Sequence, residues 1–555
     1  MRTWGLAFLL AWLALPAWAG DIRFTEVRYL GDDGGPVPTD TQFRNPVVAG
    51  FYPDPSVVRV GDDFYLVAST FGYFPGLPVF HSTDLVSWRQ VGNAIHRTGQ
   101  INYGEKEELT RGLFAATINH HDGMFYIANT CFYCDGGNFV VTATDPAGPW
   151  SDPVWLGFTG IDPSVFFDDD GSAWVVHNDV PDGELRYGGH RAIWLQRFDF
   201  DKGEKIGERL LLVDAGFEPE TNPEHVEGPH IFKHEGWYYL TAAEGGTGEQ
   251  HAQMVWRSRS VTGPYEGFAG NPVLTQRDLS YERADKVTSA GHAQFVKLAD
   301  GSWWAVFLAT RPYRGNQYNL GRETFLLPVT WKDGWPVMLE RGEPVPLVLQ
   351  RPDLPRNAQP IPTTGPMAWT ERFDAEALPL QWLSFHPPVD EWFRTGDGLR
   401  LVPSTMPLGA FGSEPGQPSY LGHRLQHHKA TLETTLAPFD PAEGELAGLA
   451  LVQNEYGHYV LGVERDDAGV AVSLYRRAGR EGDVHGERLV RIALQSTREP
   501  LSLRFVLDAP HLAAAYAVGG GDWKEVATGL DLSLVSVDVA GGFIGNTFGP
   551  YAVRR

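Results

Sequence analysis

Asp54 and Asp162 stand at the same place in a phrase that the chain repeats and Glu227 one residue ahead of its own copy, and three carboxyl groups gathered that way could run acid and base chemistry in one pocket. Asp54 opens Asp54-Pro55-Ser56-Val57-Val58 and Asp162 opens Asp162-Pro163-Ser164-Val165-Phe166. Glu227 stands one residue ahead of Gly228-Pro229-His230-Ile231-Phe232. His292 opens a fourth copy, His292-Ala293-Gln294-Phe295-Val296, and Ala115-Ala116-Thr117-Ile118-Asn119 is a fifth. Cleavage of a glycosidic bond needs a carboxylic acid to protonate the departing oxygen and a carboxylate to activate water or attack carbon, on opposite sides of the sugar. A third carboxylate raises the acid's proton affinity by like-charge repulsion and keeps it protonated near neutral pH. A lone Asp-Pro-Ser would read as a turn cap, but two copies in register with Val226-Glu227-Gly228-Pro229 favour the chemical reading.

What must position these residues is a repeated β unit. Each phrase leads into a turn rich in Gly, Asp or His and then an aromatic strand, as in Asp122-Gly123-Met124-Phe125-Tyr126 and Asp300-Gly301-Ser302-Trp303-Trp304. A period of roughly 45 to 65 residues built from short strands and hairpins reads as a propeller of five blades. In a propeller the first strand of every blade lines the axial channel, so residues remote in sequence converge there. The expectation is an all-β chain with a propeller over 40–343. A Pro-rich linker over 344–366 should be extended and poor in ladder donors. The segment 367–555, with alternating or apolar runs between Gly and Asp turns, predicts a β-sandwich of two packed sheets.

At 555 residues the chain is too long for one core. The apolar run 6–15, preceded by Arg2 and followed by Ala17-Trp18-Ala19, fits a signal peptide over 1–19, and export to the periplasm or beyond is expected. That run is shorter than the ~20 residues a membrane span requires. The net charge of −24 argues against nucleic acid and anionic membranes as partners. Cys131 and Cys134 are the only cysteines and read as structural, with neither a zinc set nor a redox helix around them. Asp168-Asp169-Asp170-Gly171 lacks the alternating ligands of a calcium loop and reads as a solvated hairpin tip. His120-His121 falls at a blade turn.

The stretch Asn45-Pro46-Val47-Val48-Ala49-Gly50-Phe51-Tyr52-Pro53-Asp54-Pro55-Ser56 resembles glycoside hydrolase family 43, as do Asp162-Pro163-Ser164, Val226-Glu227-Gly228-Pro229-His230 and Leu320-Gly321-Arg322-Glu323-Thr324-Phe325. Gly448-Leu449-Ala450-Leu451-Val452-Gln453-Asn454 and Gly541-Gly542-Phe543-Ile544-Gly545 are similar to the concanavalin-like C-terminal module of its β-xylosidase branch. The resemblance implies an inverting, exo-acting enzyme on pentose glycosides, with an oligosaccharide as substrate. Asp54 would be the general base, Glu227 the general acid, and Asp162 the residue that orients Glu227 and tunes it. Arg322 would bind sugar hydroxyls and hold Asp54 ionised. Phe71 matches an aromatic that walls the subsite of the cleaved sugar, and Phe114 stands where many members carry Trp. Tyr73 and Phe74 are further aromatic candidates for stacking. His292 resembles an axial histidine that in some members supports calcium through its hydration shell. No cofactor is required on this reading, and a structural calcium would be held at His292 through water.

Release of β-D-xylose from xylo-oligosaccharides is the leading expectation, and release of α-L-arabinofuranose from arabinoxylan or arabinan the alternative. Two further readings are a noncatalytic glycan-binding propeller, which predicts a defect among the acids that the sequence does not show, and a retaining enzyme of the fructosidase kind.

Overall fold

The computed structural model describes residues 22–104, 108–284, 286–357, 362–413 and 416–555. The expected signal peptide at 1–19 lies outside the described residues. Among the described residues the single α-helical turn is Val537–Ala540, and no helix is long and apolar enough to cross a membrane.

Five antiparallel sheets form a five-bladed propeller. Their innermost strands are Ser56–Val60, Gly112–His121, Ile161–Phe167, Glu227–His234 and Thr288–Lys297. These five strands are the five repeated phrases, and each packs beside the next until the fifth meets the first. A belt of polar side chains, all third in their phrase, joins the blades around the axis. The Ser56 hydroxyl donates to Gln294 Oε1 and accepts from the Ile118 N–H at 2.8 Å. The Thr117 hydroxyl donates to the Pro163 carbonyl at 2.9 Å, and Ser164 Oγ lies 3.1 Å from His230 Nδ1. Buried hydroxyls are stable here because each finds a partner on the next blade.

Asp168 departs from the expectation of a solvated tip. Its carboxylate accepts from Lys233 Nζ at 2.9 Å and from the Tyr238 hydroxyl at 2.8 Å, linking the third blade to the fourth, while Asp169 and Asp170 are exposed. His121 lies at the second blade's hairpin, stacked on Phe167 at 4.2 Å.

The second domain is a sandwich of two sheets. One contains Lys429–Leu436, Leu501–Asp508 and His511–Val518, and also the N-terminal strand Ile22–Gly31, which crosses from the start of the chain to pair with Lys429–Leu436. The other contains Glu445–Asn454, Gly457–Asp466 and Thr547–Arg554. Lys429–Leu436 buries alternate residues, as a sheet with one wet face should. Glu445–Asn454 is buried at every position because its outer face packs on the propeller, where Leu446, Ala450 and Val452 join Phe51, Phe71 and Tyr73. The Pro-rich stretch is less bare than its composition predicts: Val348–Gln350 forms a short antiparallel ladder with Gln42–Arg44 along the propeller.

Candidate active site

The phrase opens on a shared backbone kink. Asp54, Asp162, Gly228 and His292 have φ of 53°, 57°, 59° and 52°, and the ladders of the third, fourth and fifth blades shift register there. Left-handed backbone costs a non-glycine residue about 1–3 kcal/mol, and Asp, His and Gly are the types that tolerate it best. The kink turns the Asp54 and Asp162 side chains toward the axis. In the fourth blade glycine occupies the kink, so the acid sits one residue earlier, at Glu227. In the second blade Phe114 holds the place equivalent to Glu227.

Asp54 is buried. Its Oδ1 accepts from Arg322 Nη1 at 2.9 Å, its Oδ2 accepts from the Ser69 hydroxyl at 2.6 Å, and His292 Nδ1 lies 3.9 Å from Oδ1. Burial pushes its carboxyl up, but Arg322, His292 and the Ser69 hydrogen bond outweigh that and hold it below the usual carboxylate range. Asp162 is also buried and accepts the Gly228 N–H at 3.0 Å, which ties it to the residue after Glu227. Burial raises its pKa, the Asp54 charge adds to the rise, and His292 opposes it. Glu227 is partly exposed. Enclosure by the surrounding protein pushes its carboxyl well above the ordinary glutamate range, and the negative charges of Asp162 and Asp54 push it further. Two acids with opposed titration in one site are the arrangement that lets one take a proton while the other gives one.

Arg322 is buried and bridges the domains, because its Nη2 also reaches the Phe543 carbonyl at 3.4 Å. Its backbone is pinned by a close approach of two glycines. A side chain on Gly545 would strike the Leu320 carbonyl at 2.5 Å, and one on Gly321 would strike Gly545 at 2.9 Å. Phe71 and Phe114 form one wall with Phe543: centroids are 5.3 Å apart for Phe71–Phe114, 5.9 Å for Phe71–Phe543 and 6.0 Å for Phe114–Phe543. The Phe543 N–H donates to Thr110 Oγ1 at 2.7 Å, so the sandwich loop is latched onto the propeller. Tyr73 and Phe74 do not join this wall. They pair with Ser384–Phe385 beneath the sandwich, and the Tyr73 hydroxyl is 3.0 Å from Thr547 Oγ1.

His292 packs its ring against Gly228, where an added Cβ would lie 2.7 Å away. Burial pushes the neighbouring His230 and His251 down to about 3 and about 4, so both are neutral imidazoles. Among the described residues no cluster of three or more His, Cys, Asp or Glu could hold a metal. A calcium ion at His292 would have to keep its own water. A cavity of about 730 Å³ lies elsewhere on the domain seam, lined by Arg44, Arg283, Arg311, His427 and His428. It contains none of the three acids.

Sequence reasoning missed Ser69 and Phe543. Ser69 carries no signal of its own, but an aromatic flanked by glycines in Gly541-Gly542-Phe543-Ile544-Gly545 is the pattern of a loop tip free to reach a neighbouring domain.

Residues 43–336 match the family described as glycosyl hydrolases family 43, and residues 370–555 match the β-xylosidase C-terminal concanavalin A-like domain. A xylosidase/arabinosidase of Butyrivibrio fibrisolvens is 37% identical, with 92% of this chain and 95% of that one aligned. A non-reducing end α-L-arabinofuranosidase of Bacteroides ovatus is 36% identical over 92% of this chain and 91% of its own. Among solved structures, a family 43 protein from a capybara gut metagenome superimposes with a TM-score of 0.88 at 35% identity, covering 96% of this chain and all of that one. A xylan β-1,4-xylosidase from Bacillus halodurans gives 0.81 at 30% identity, covering 92% and 97%. A five-bladed propeller with its acids at the axis, closed by a concanavalin-like sandwich, is thus matched along nearly the whole chain, which belongs to glycosyl hydrolase family 43 and is a glycosidase.

Proposed function

We propose that the protein releases terminal β-D-xylose from xylo-oligosaccharides, with inversion at the anomeric carbon. Asp54 takes a proton from water as the water oxygen bonds to the anomeric carbon. The bond from that carbon to the glycosidic oxygen breaks on the opposite side, and Glu227 gives its proton to the departing oxygen. Arg322 keeps Asp54 ionised and offers N–H donors to sugar hydroxyls. Asp162 keeps Glu227 protonated by its charge and orients it through the Gly228 N–H. The observation that carries this reading is the pairing of a carboxyl held low with one held high beside an aromatic wall.

The buried floor and the cap from the sandwich support exo action, since a sugar must enter end first. Release of α-L-arabinofuranose is the second reading, favoured by the names of the relatives from Butyrivibrio and Bacteroides. Turnover of nitrophenyl β-xyloside and α-L-arabinofuranoside decides between them, and rapid turnover of the arabinoside alone would overturn the first choice. Proton NMR of the first-formed sugar tests inversion, and a retained anomer would contradict it. The apolar run 6–15 supports export, which an N-terminus at Gly20 in the mature protein would bear out.

A further inference from the structure

The Cys131-Phe132-Tyr133-Cys134 loop has no part in the bond cleavage described above, yet it continues the active-site wall outward. Phe114 lies parallel to Phe132, with centroids 4.9 Å apart and planes 2° apart, and Phe132 lies 4.6 Å from Tyr133. Along this ladder exposure climbs from 2% at Phe71, through the half-buried Phe114 and Phe132, to 53% at Tyr133. Asp54, Asp162 and Arg322 are buried at the inner end. A sugar held there can extend only toward solvent, so the rings beyond Phe114 lie on the side of the leaving group.

The outer end of the ladder is built to stay in place. A disulfide joins Cys131 to Cys134, the Cys134 N–H donates to the Cys131 carbonyl at 3.4 Å, and the Cys131 N–H donates to Gly137 O at 2.9 Å. Tyr133 is held at φ 72°, a strained value for a non-glycine residue, and its carbonyl backs onto Gly104, where a Cβ would be 2.5 Å away. Strain and exposure of a large aromatic together point to use rather than packing. Arg111 supplies the polar partner. Its guanidinium lies 5.3 Å from the Phe132 ring, 5.7 Å from Tyr133 and 5.8 Å from Phe543. Flat rings beside N–H donors match a pyranose, which has an apolar C–H face and a rim of hydroxyls.

We propose that Phe132 and Tyr133, on the disulfide-closed loop, bind the sugar units of the oligosaccharide that lie beyond the bond being cut, with Arg111 donating to their hydroxyls. This deepens the pentosidase reading and rests on it. The test compares KM for xylotriose with the inhibition constant of free xylose, which fills only the inner pocket; arabinotriose and arabinose replace them if arabinose is the sugar released. Tyr133→Ala, at an exposed position, should raise KM for the trisaccharide about fivefold, with the effect on KM rather than kcat and no matching change in the monosaccharide constant. Phe132→Ala should raise it further. Cys131→Ser with Cys134→Ser, or mild reduction of the unsubstituted enzyme, should raise it less and in the same direction. An unchanged KM in both aromatic variants would overturn the proposal. So would a monosaccharide constant that rises in step with KM, since the ladder would then only prop the inner wall. If the unsubstituted enzyme hydrolyses neither trisaccharide, the pentosidase reading fails and takes this proposal with it, an outcome distinct from hydrolysis with unchanged KM.

Discussion

The floor and the wall of the site are built by different means. The acids on the floor come from the propeller alone, from equivalent kinks in the first, third and fourth blades, and each is tuned by charges and hydrogen bonds of its neighbours. The wall is apolar and shared: Phe71 and Phe114 come from the propeller and Phe543 from the sandwich. On the proposed mechanism, charge on the floor decides whether the bond breaks, and shape at the wall decides which sugar sits over it. The two tasks can therefore vary separately, with Arg322 as the joint because it holds Asp54 on one side and the Phe543 carbonyl on the other.

Removing the two catalytic protons' carriers should produce the largest effects and split them by leaving group. Glu227→Gln should lower kcat on xylobiose by about 10²–10⁴-fold, and much less on a nitrophenyl xyloside, whose phenolate departs without a proton. Asp54→Asn should lose activity on both substrates to the same degree, because water activation does not depend on the leaving group. Equal losses for Glu227→Gln on both substrates would remove Glu227 from the acid's role.

The pH profile tests how the floor is tuned. Asp54 must be ionised and its pKa lies below the ordinary aspartate range, so kcat/KM should rise through a low acid limb. Glu227 must be protonated and its pKa lies above the ordinary glutamate range, so the alkaline limb should fall well above where a free glutamate titrates. Asp162→Asn removes a negative charge that raises the Glu227 pKa, so the alkaline limb should move to lower pH while the acid limb moves little. Arg322→Met removes the cation that lowers Asp54, and should move the acid limb to higher pH. A profile of Asp162→Asn superimposable on that of the unsubstituted enzyme would separate Asp162 from Glu227.

The same contrast explains what could be read from the chain. The floor was legible because a propeller repeats its backbone: in four of the five phrases the left-handed kink favours Asp, Gly or His at one place, and that preference leaves a mark in register at Asp54, Asp162, Gly228 and His292. The wall was legible only through the family resemblance, which gave a role to Phe71 and Phe114 but none to Phe543. Phe543 enters from another domain, and no local spacing encodes which surface a loop tip will meet. The crossing of Ile22–Gly31 into the sandwich was hidden for a similar reason, since an alternating strand states which face it buries but not against which partner. Tyr73 and Phe74 show the converse error: their type suited a sugar, but the sandwich covers them.

Phe543→Ala offers the gentlest test of the division between floor and wall. The ring lies against Phe71 and Phe114 and 5.9 Å from the Arg322 guanidinium but makes no hydrogen bond to the acids, and the backbone carbonyl that the Arg322 Nη2 reaches survives the substitution. Both limbs of the pH profile should stay where they are. Loss of one aromatic contact of about 1 kcal/mol corresponds to a rise in KM of about fivefold for pentosides, and the ratio of xyloside to arabinoside turnover should move because the wall's outline has changed. If the acid limb shifted as well, the wall would be acting on Asp54 through Arg322, and floor and wall would be one electrostatic unit rather than two separable parts.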